Sequence, residues 1–126
     1  MIAYCAFENC ETLRQIVIHK SVFHVERAAF SGCVNLESII VDQNNPIYHS
    51  KDNCLIQTDA NVLVAGCKTS VIPSETCIIG PYAFYNCIGL TNIETPECDK
   101  YYPCNFSIAL FFEGICDIIL YVSAAK

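Results

Sequence analysis

The stretch "AFSGCVNLESIIV", residues 29–41, repeats the pattern of "AFENCETLRQIVI", residues 6–18, and that repetition decides the fold. Phe7, Cys10, Leu13, Ile16 and Ile18 return as Phe30, Cys33, Leu36, Ile39 and Val41, each 23 residues later. Ile2 maps in the same way to Val25, and Ala6 to Ala29. A third copy lies 54 residues beyond the second: Phe84, Cys87, Leu90 and Ile93 keep the pattern, and Thr95 departs from it. Val25 then maps to Ile79 and Ala29 to Ala83. The larger offset is one 23-residue period plus 31 extra residues.

A unit of this length cannot bury its own apolar face, whereas stacked units bury a continuous core against their neighbours. Within each unit, Leu-x-x-Ile-x-Ile half-alternates, as a strand with one face inward does. Ala-Phe-x-x-Cys-x-x-Leu places apolar residues three apart, the spacing of a short helical turn. Each unit is expected to set a strand on one side and a helical turn on the other.

The spacing resembles the BspA-like (Treponema pallidum type) leucine-rich repeats, whose consensus runs Ile-Gly-x-x-Ala-Phe-x-x-Cys-x-x-Leu-x-x-Ile-x-Ile-Pro. "IGPYAFYNCIGLTNIETP", residues 79–96, follows it closely, and "VERAAFSGCVNLESIIV" (25–41) and "IAYCAFENCETLRQIVI" (2–18) follow it too. The resemblance implies an α/β leucine-rich-repeat solenoid, β-rich, in a single domain. The repeats run over about 2–24, 25–78 and 79–96, with a divergent repeat or C-terminal cap over 97–126. In that last segment "ALFFEG", residues 109–114, reads as a degenerate copy set a few residues late, and "LYVSAAK", residues 120–126, as a closing strand.

The extra residues between the second and third copies read as an inserted β-hairpin over 44–67. Two apolar runs, Cys54-Leu55-Ile56 and Val62-Leu63-Val64, flank a turn-like Thr58-Asp59-Ala60-Asn61. Asn45, Pro46, Tyr48, Ser50 and Asp52 match the Asn-Pro-x-Tyr-x-Ser-x-Asp start of the insert that BspA-like proteins carry. Asn53 stands where that motif has Gly, and Asn also tolerates a positive φ.

The chain has ten cysteines. Cys10, Cys33 and Cys87 share one repeat slot and are expected to stack as small apolar thiols. Cys54 and Cys67 would face each other across the expected hairpin, and Cys98 and Cys104 flank "DKYYP", so either pair is a candidate disulfide. No Cys-x-x-Cys occurs, which removes the usual redox and zinc-ribbon spacings.

Composition narrows the function classes. Apolar residues make up 53% and charged residues 16%, the balance of a packed domain. The net charge of −6, with seven scattered Lys and Arg, excludes nucleic acid as the main partner. "MIAYCAFENC" has no basic n-region and begins inside a repeat, so the chain reads as a piece of a longer protein. "FSIALFFEGICDIILYV", residues 106–122, carries Glu113 and Asp117 at its middle and is short for a spanning helix, so no membrane insertion is expected. No nucleophile elbow, Walker A or Gly-x-Gly-x-x-Gly motif is present. His19, His24 and His49 have no metal-binding spacing. No cofactor, metal or catalytic residue is therefore assigned.

Alternation on the strands picks out the outward side chains, and these are the candidate binding residues: Gln15, Val17 and His19, then Ser38, Ile40 and Asp42, then Asn92 and Glu94. They form rows Gln15/Ser38/Asn92, Val17/Ile40/Glu94 and His19/Asp42/Pro96, with Tyr48 and His49 joining them if the insert overhangs the face. The expected role is a non-enzymatic module for protein–protein recognition or adhesion, part of a larger surface protein, with a protein ligand as partner. That role and the cell-surface or secreted location come from the resemblance. Two alternatives stand beside it: a passive segment of a repeat array, and a thiol- or metal-dependent protein built on the off-pattern cysteines.

Overall fold

The computed structural model describes residues 1–26, 28–76, 78–80 and 82–84, together with the backbone of 92–95 and 119–122. It contains β1 (Gln15–Ile18), β2 (Ser38–Val41), β3 (Tyr48–Lys51), β4 (Cys54–Gln57), β5 (Val62–Ala65), β6 (Ile78–Ile79), β7 (Asn92–Thr95) and β8 (Ile119–Val122). They form three sheets: β1–β2, β3–β4–β5–β6 and β7–β8. Among the described residues the result is a β-rich repeat fold of short strands with no closed sheet.

The period read from the sequence reappears as strand register. β1 and β2 are parallel, with Gln15 beside Ser38, Ile16 beside Ile39, Val17 beside Ile40 and Ile18 beside Val41. The first two units are joined again on their turn side. Ile2 and Val25 form a parallel bridge. The Phe7 N–H donates to the Ala29 carbonyl at 2.8 Å, and the Asn9 N–H to Ser31 at 2.9 Å. The Phe7 and Phe30 rings stack with centroids 5.6 Å apart.

The expected helical turns are absent among the described residues, and chained hydrogen-bonded turns replace them. In the first unit Ala6, Glu8, Cys10 and Leu13 each donate to the carbonyl three residues back, and Ser31, Cys33 and Leu36 do so in the second. Left-handed residues break the helix. Cys5 and Asn9 have φ of 56° and 58°, and their equivalents Ala28 and Gly32 have 58° and 76°. Tyr82, in the same slot as Cys5 and Ala28, has 61°. A helix cannot propagate through such residues. Gly32 has a second constraint, because a Cβ there would collide with the Asn9 side chain.

The insert is larger than one hairpin. Lys51 pairs with Cys54 across a two-residue loop, Asp52 and Asn53, with φ of 51° and 60°. Positive φ at both positions is the type I′ geometry that suits a tight hairpin. A second antiparallel pairing, β4 with β5, turns over 58–61. β5 then runs parallel to β6, with Leu63 beside Ile79.

That last pairing copies a repeat junction. The Gly80 N–H donates to Leu63, as the equivalent Glu26 N–H donates to Ile2. The Gly66 N–H donates to Ala83, as Phe7 donates to the equivalent Ala29. Residues 63–66 thus occupy the place of a preceding repeat under the third copy. Gly66 sits where a repeat has Phe, and a Cβ on it would run into the fully buried Phe84 ring.

The motif at the start of the insert satisfies backbone groups of the first and second copies. The Asn45 amide donates to the carbonyls of His19 and Val22, and its oxygen accepts from the Ile47 and Tyr48 N–H groups. The Tyr48 hydroxyl accepts from the Val25 N–H at 2.9 Å, and Ser50 Oγ from the Val41 N–H at 3.1 Å. Tyr48 and Leu55 are buried in one core with Ile18, Val25, Phe30, Leu36 and Ile39.

β7 pairs in parallel with β8, Asn92 beside Ile119 and Thr95 beside Val122, an offset of 27 residues. The rest of 97–126 lies outside the described residues, and so do Cys77, Cys87, Cys98, Cys104 and Cys116.

Candidate strand-face site

The parallel register of β1 and β2 sets the outward residues in pairs. Val17 and Ile40 stand side by side, 59% and 41% exposed, while Ile18, Ile39 and Val41 on the inward side are buried. Gln15 is exposed and its neighbour Ser38 is half-buried. The face is thus a pair of aliphatic side chains with polar residues at both ends.

Those polar ends are held in place by local turns. The Asp42 N–H donates to Ile18 at 2.9 Å, and its carboxylate accepts from the Asn44 N–H at 2.8 Å. His19 Nδ1 lies 2.8 Å from Ser21 Oγ. At the other end Arg14 and Lys68 lie 3.8 and 3.6 Å from the Glu37 carboxylate. These pairs are at least partly solvent-exposed and contribute little to stability.

Asn92 and Glu94 lie on β7, which among the described residues pairs with β8, so strand pairing does not join them to the β1–β2 rows. Tyr48 does not join the surface either; it is buried, because its hydroxyl serves Val25. His49 is half-buried and bonds Thr58 Oγ1 at 2.8 Å. Sequence reasoning missed an open cleft of about 450 Å³ between the end of β2 and the insert, lined by Asp42, Gln43, Pro46, His49 and Thr58 among others.

Cys33 is buried, and its thiol donates to the Phe7 carbonyl at 3.0 Å, whereas Cys10 is only half-buried. Burial pushes the Cys33 thiol above its ordinary value, and pushes Cys54 up to about 12. Cys5, Cys10, Cys33, Cys54 and Cys67 are free thiols. Among the described residues no three His, Cys, Asp or Glu groups converge as a metal site, and no helix is long and apolar enough to cross a membrane.

The family model for the BspA type leucine rich repeat region (6 copies) matches residues 1–59 and 61–107. The chain belongs to this BspA-type leucine-rich repeat family. No curated protein matches it. Three solved structures share the fold. A leucine rich cell surface protein from Faecalibacterium prausnitzii is 28% identical, with a TM-score of 0.55 over 67% of this chain and 24% of its own. The pneumococcal vaccine antigen PcpA is 23% identical, with a TM-score of 0.58 over 68% of this chain and 22% of its own. A leucine-rich repeat protein from Eubacterium ventriosum is 23% identical, with a TM-score of 0.55 over 67% of this chain and 26% of its own. The BspA-type chain spans about a quarter of the length of each.

Proposed function

We propose that the chain is a non-enzymatic recognition segment of a larger surface protein, and that the β1–β2 face binds a protein ligand. The observation that carries this reading is the Val17–Ile40 pair. It is apolar, exposed and rimmed by Gln15, Ser38, His19 and Asp42. An apolar spot with a polar rim is the anatomy of a protein-contact surface. The cell-surface name of the Faecalibacterium prausnitzii relative supports the location, as does the family.

The test is a titration of bead-bound chain against a panel of immobilised extracellular-matrix and serum glycoproteins. Saturable binding competed by soluble chain, and lost in Val17→Asp/Ile40→Asp with the thermal midpoint unchanged, is the expected result. Binding that survives the double substitution would remove the face from the proposal. No saturable binding at all would favour a passive segment of a repeat array, a reading that the half-exposed Phe7, Cys10, Leu13 and Ile16 of the first unit also support.

A further inference from the structure

Cys54 and Cys67 are buried thiols used neither by the repeat junctions nor by the strand face. Cys54 opens β4 and Cys67 follows β5, so they sit on the two arms of one antiparallel pairing. Leu55 lies beside Ala65 in that pairing, which brings the next residues of both arms to the same end. The thiols converge there on one turn. Cys54 Sγ donates to the Asp52 carbonyl and Cys67 Sγ to the adjacent Asn53 carbonyl, both at 3.7 Å. The segment 70–71 closes over them: Ser70 Oγ lies 3.7 Å from Cys67 Sγ, and the Val71 carbonyl accepts from Cys54 Sγ at 3.5 Å.

We propose that Cys54 and Cys67 are a disulfide-forming pair, oxidised to a cystine by a low-molecular-weight disulfide such as oxidised glutathione. The Cys67 thiol loses its proton and attacks one glutathione sulfur. The glutathione S–S bond breaks and one glutathione thiol leaves with a proton. Cys54 then gives up its proton and attacks Cys67 Sγ, expelling the second glutathione as a thiol. The protein loses two electrons and two protons, and the oxidant gains both. Burial disfavours the Cys54 thiolate, and the exchange balances in the same way whichever of the two thiols attacks first. Both sulfurs are buried, so the reaction proceeds through local opening of the hairpin end and is slow. The bond closes over residues 55–66 and ties β4 to β5, the strand that stands in for a repeat beneath the third copy. Shortening the loops open to the unfolded chain is the stabilising effect.

The experiment incubates the folded chain with oxidised glutathione, denatures it in N-ethylmaleimide and maps the peptides by mass. The expected product lacks two hydrogens and joins the Cys54 and Cys67 peptides, and its thermal midpoint rises by about 5 °C. The shift should be absent in Cys54→Ala, and the peptide map of the unsubstituted chain decides the matter even if that variant fails to fold. Maleimide on both cysteines would overturn the proposal. So would a lasting glutathione adduct on Cys67, or a link from either residue to a third cysteine.

Discussion

The first and second repeats carry the same residues in the same slots and bury them differently. Phe30, Cys33, Leu36 and Ile39 are buried, whereas Phe7, Cys10, Leu13 and Ile16 are half-exposed. The second unit is covered on one side by the first and on the other by the insert, with Tyr48, Leu55 and Cys67 in its core. In the described structure the first unit has a neighbour on one side only. In a solenoid, a side chain's contribution is set by its neighbours as much as by its identity.

The largest expected effect tests that difference directly. Leu36 is 1% exposed, and Leu36→Ala should lower stability by about 3 kcal/mol, the cost of an unfilled core cavity. Leu13→Ala, at the half-exposed equivalent, should cost about 1 kcal/mol, because solvent already reaches the site. Urea unfolding of both variants measures the gap. Equal losses would break the comparison, and would mean that the first unit is covered in solution by something the chain itself does not supply.

Cys33 and Cys10 sharpen the same contrast through smaller side chains. Cys33→Ala should cost about 1–2 kcal/mol through lost packing and leave any binding by the strand face intact. Loss of binding without loss of stability would assign Cys33 a functional role and contradict the packing account. The pH dependence has a defined sign. The folded Cys33 thiol ionises above the ordinary value of 9.0, so its contribution is complete below that pH. As pH rises past it, the unfolded chain loses the proton first, and the contribution is lost through the folded thiol's own, higher ionisation. Cys54, raised to about 12, acts in the same direction over about pH 9–12, with a slope of up to about 1.4 kcal/mol per pH unit. Alkaline unfolding of Cys33→Ala should be shallower than that of the unsubstituted chain, and the residual slope should shrink further when Cys54 is also replaced.

The repeat was legible because stacking demands fixed spacing, and Phe, Cys, Leu and Ile at fixed spacing are written in the sequence. The β1–β2 face was legible for a related reason: period-two alternation put Val17 and Ile40 outward, and the 23-residue register put them side by side. Three features had no such mark. "YHSK" of β3 is mostly polar, and it is a strand because Tyr48 anchors it in the core and a type I′ turn closes it. The pairing of β5 with β6 joins residues with no common motif, and exists because residues 63–66 fill the place of a missing repeat. The helical turns failed for the third reason: Cys5, Ala28 and Tyr82 hold a left-handed backbone without the glycine that usually signals one.

That last slot separates local strain from neighbour-dependent burial, and here the two repeats should respond alike. Ala28 and Cys5 have φ of 58° and 56° in equivalent turns. A left-handed conformation costs an L-residue about 1–2 kcal/mol, and glycine avoids that cost while losing about 0.5–1 kcal/mol of chain entropy on folding. Ala28→Gly should therefore raise stability by about 0.5 kcal/mol, read as a higher urea midpoint at unchanged slope. Cys5→Gly should change stability in the same direction, reduced by whatever packing the half-buried thiol supplies. If Ala28→Gly lowered the midpoint, the turn would draw support from the Ala28 methyl group itself. If only one of the two sites responded, the strain would depend on the neighbouring unit, and the burial contrast between the repeats would extend to their backbones.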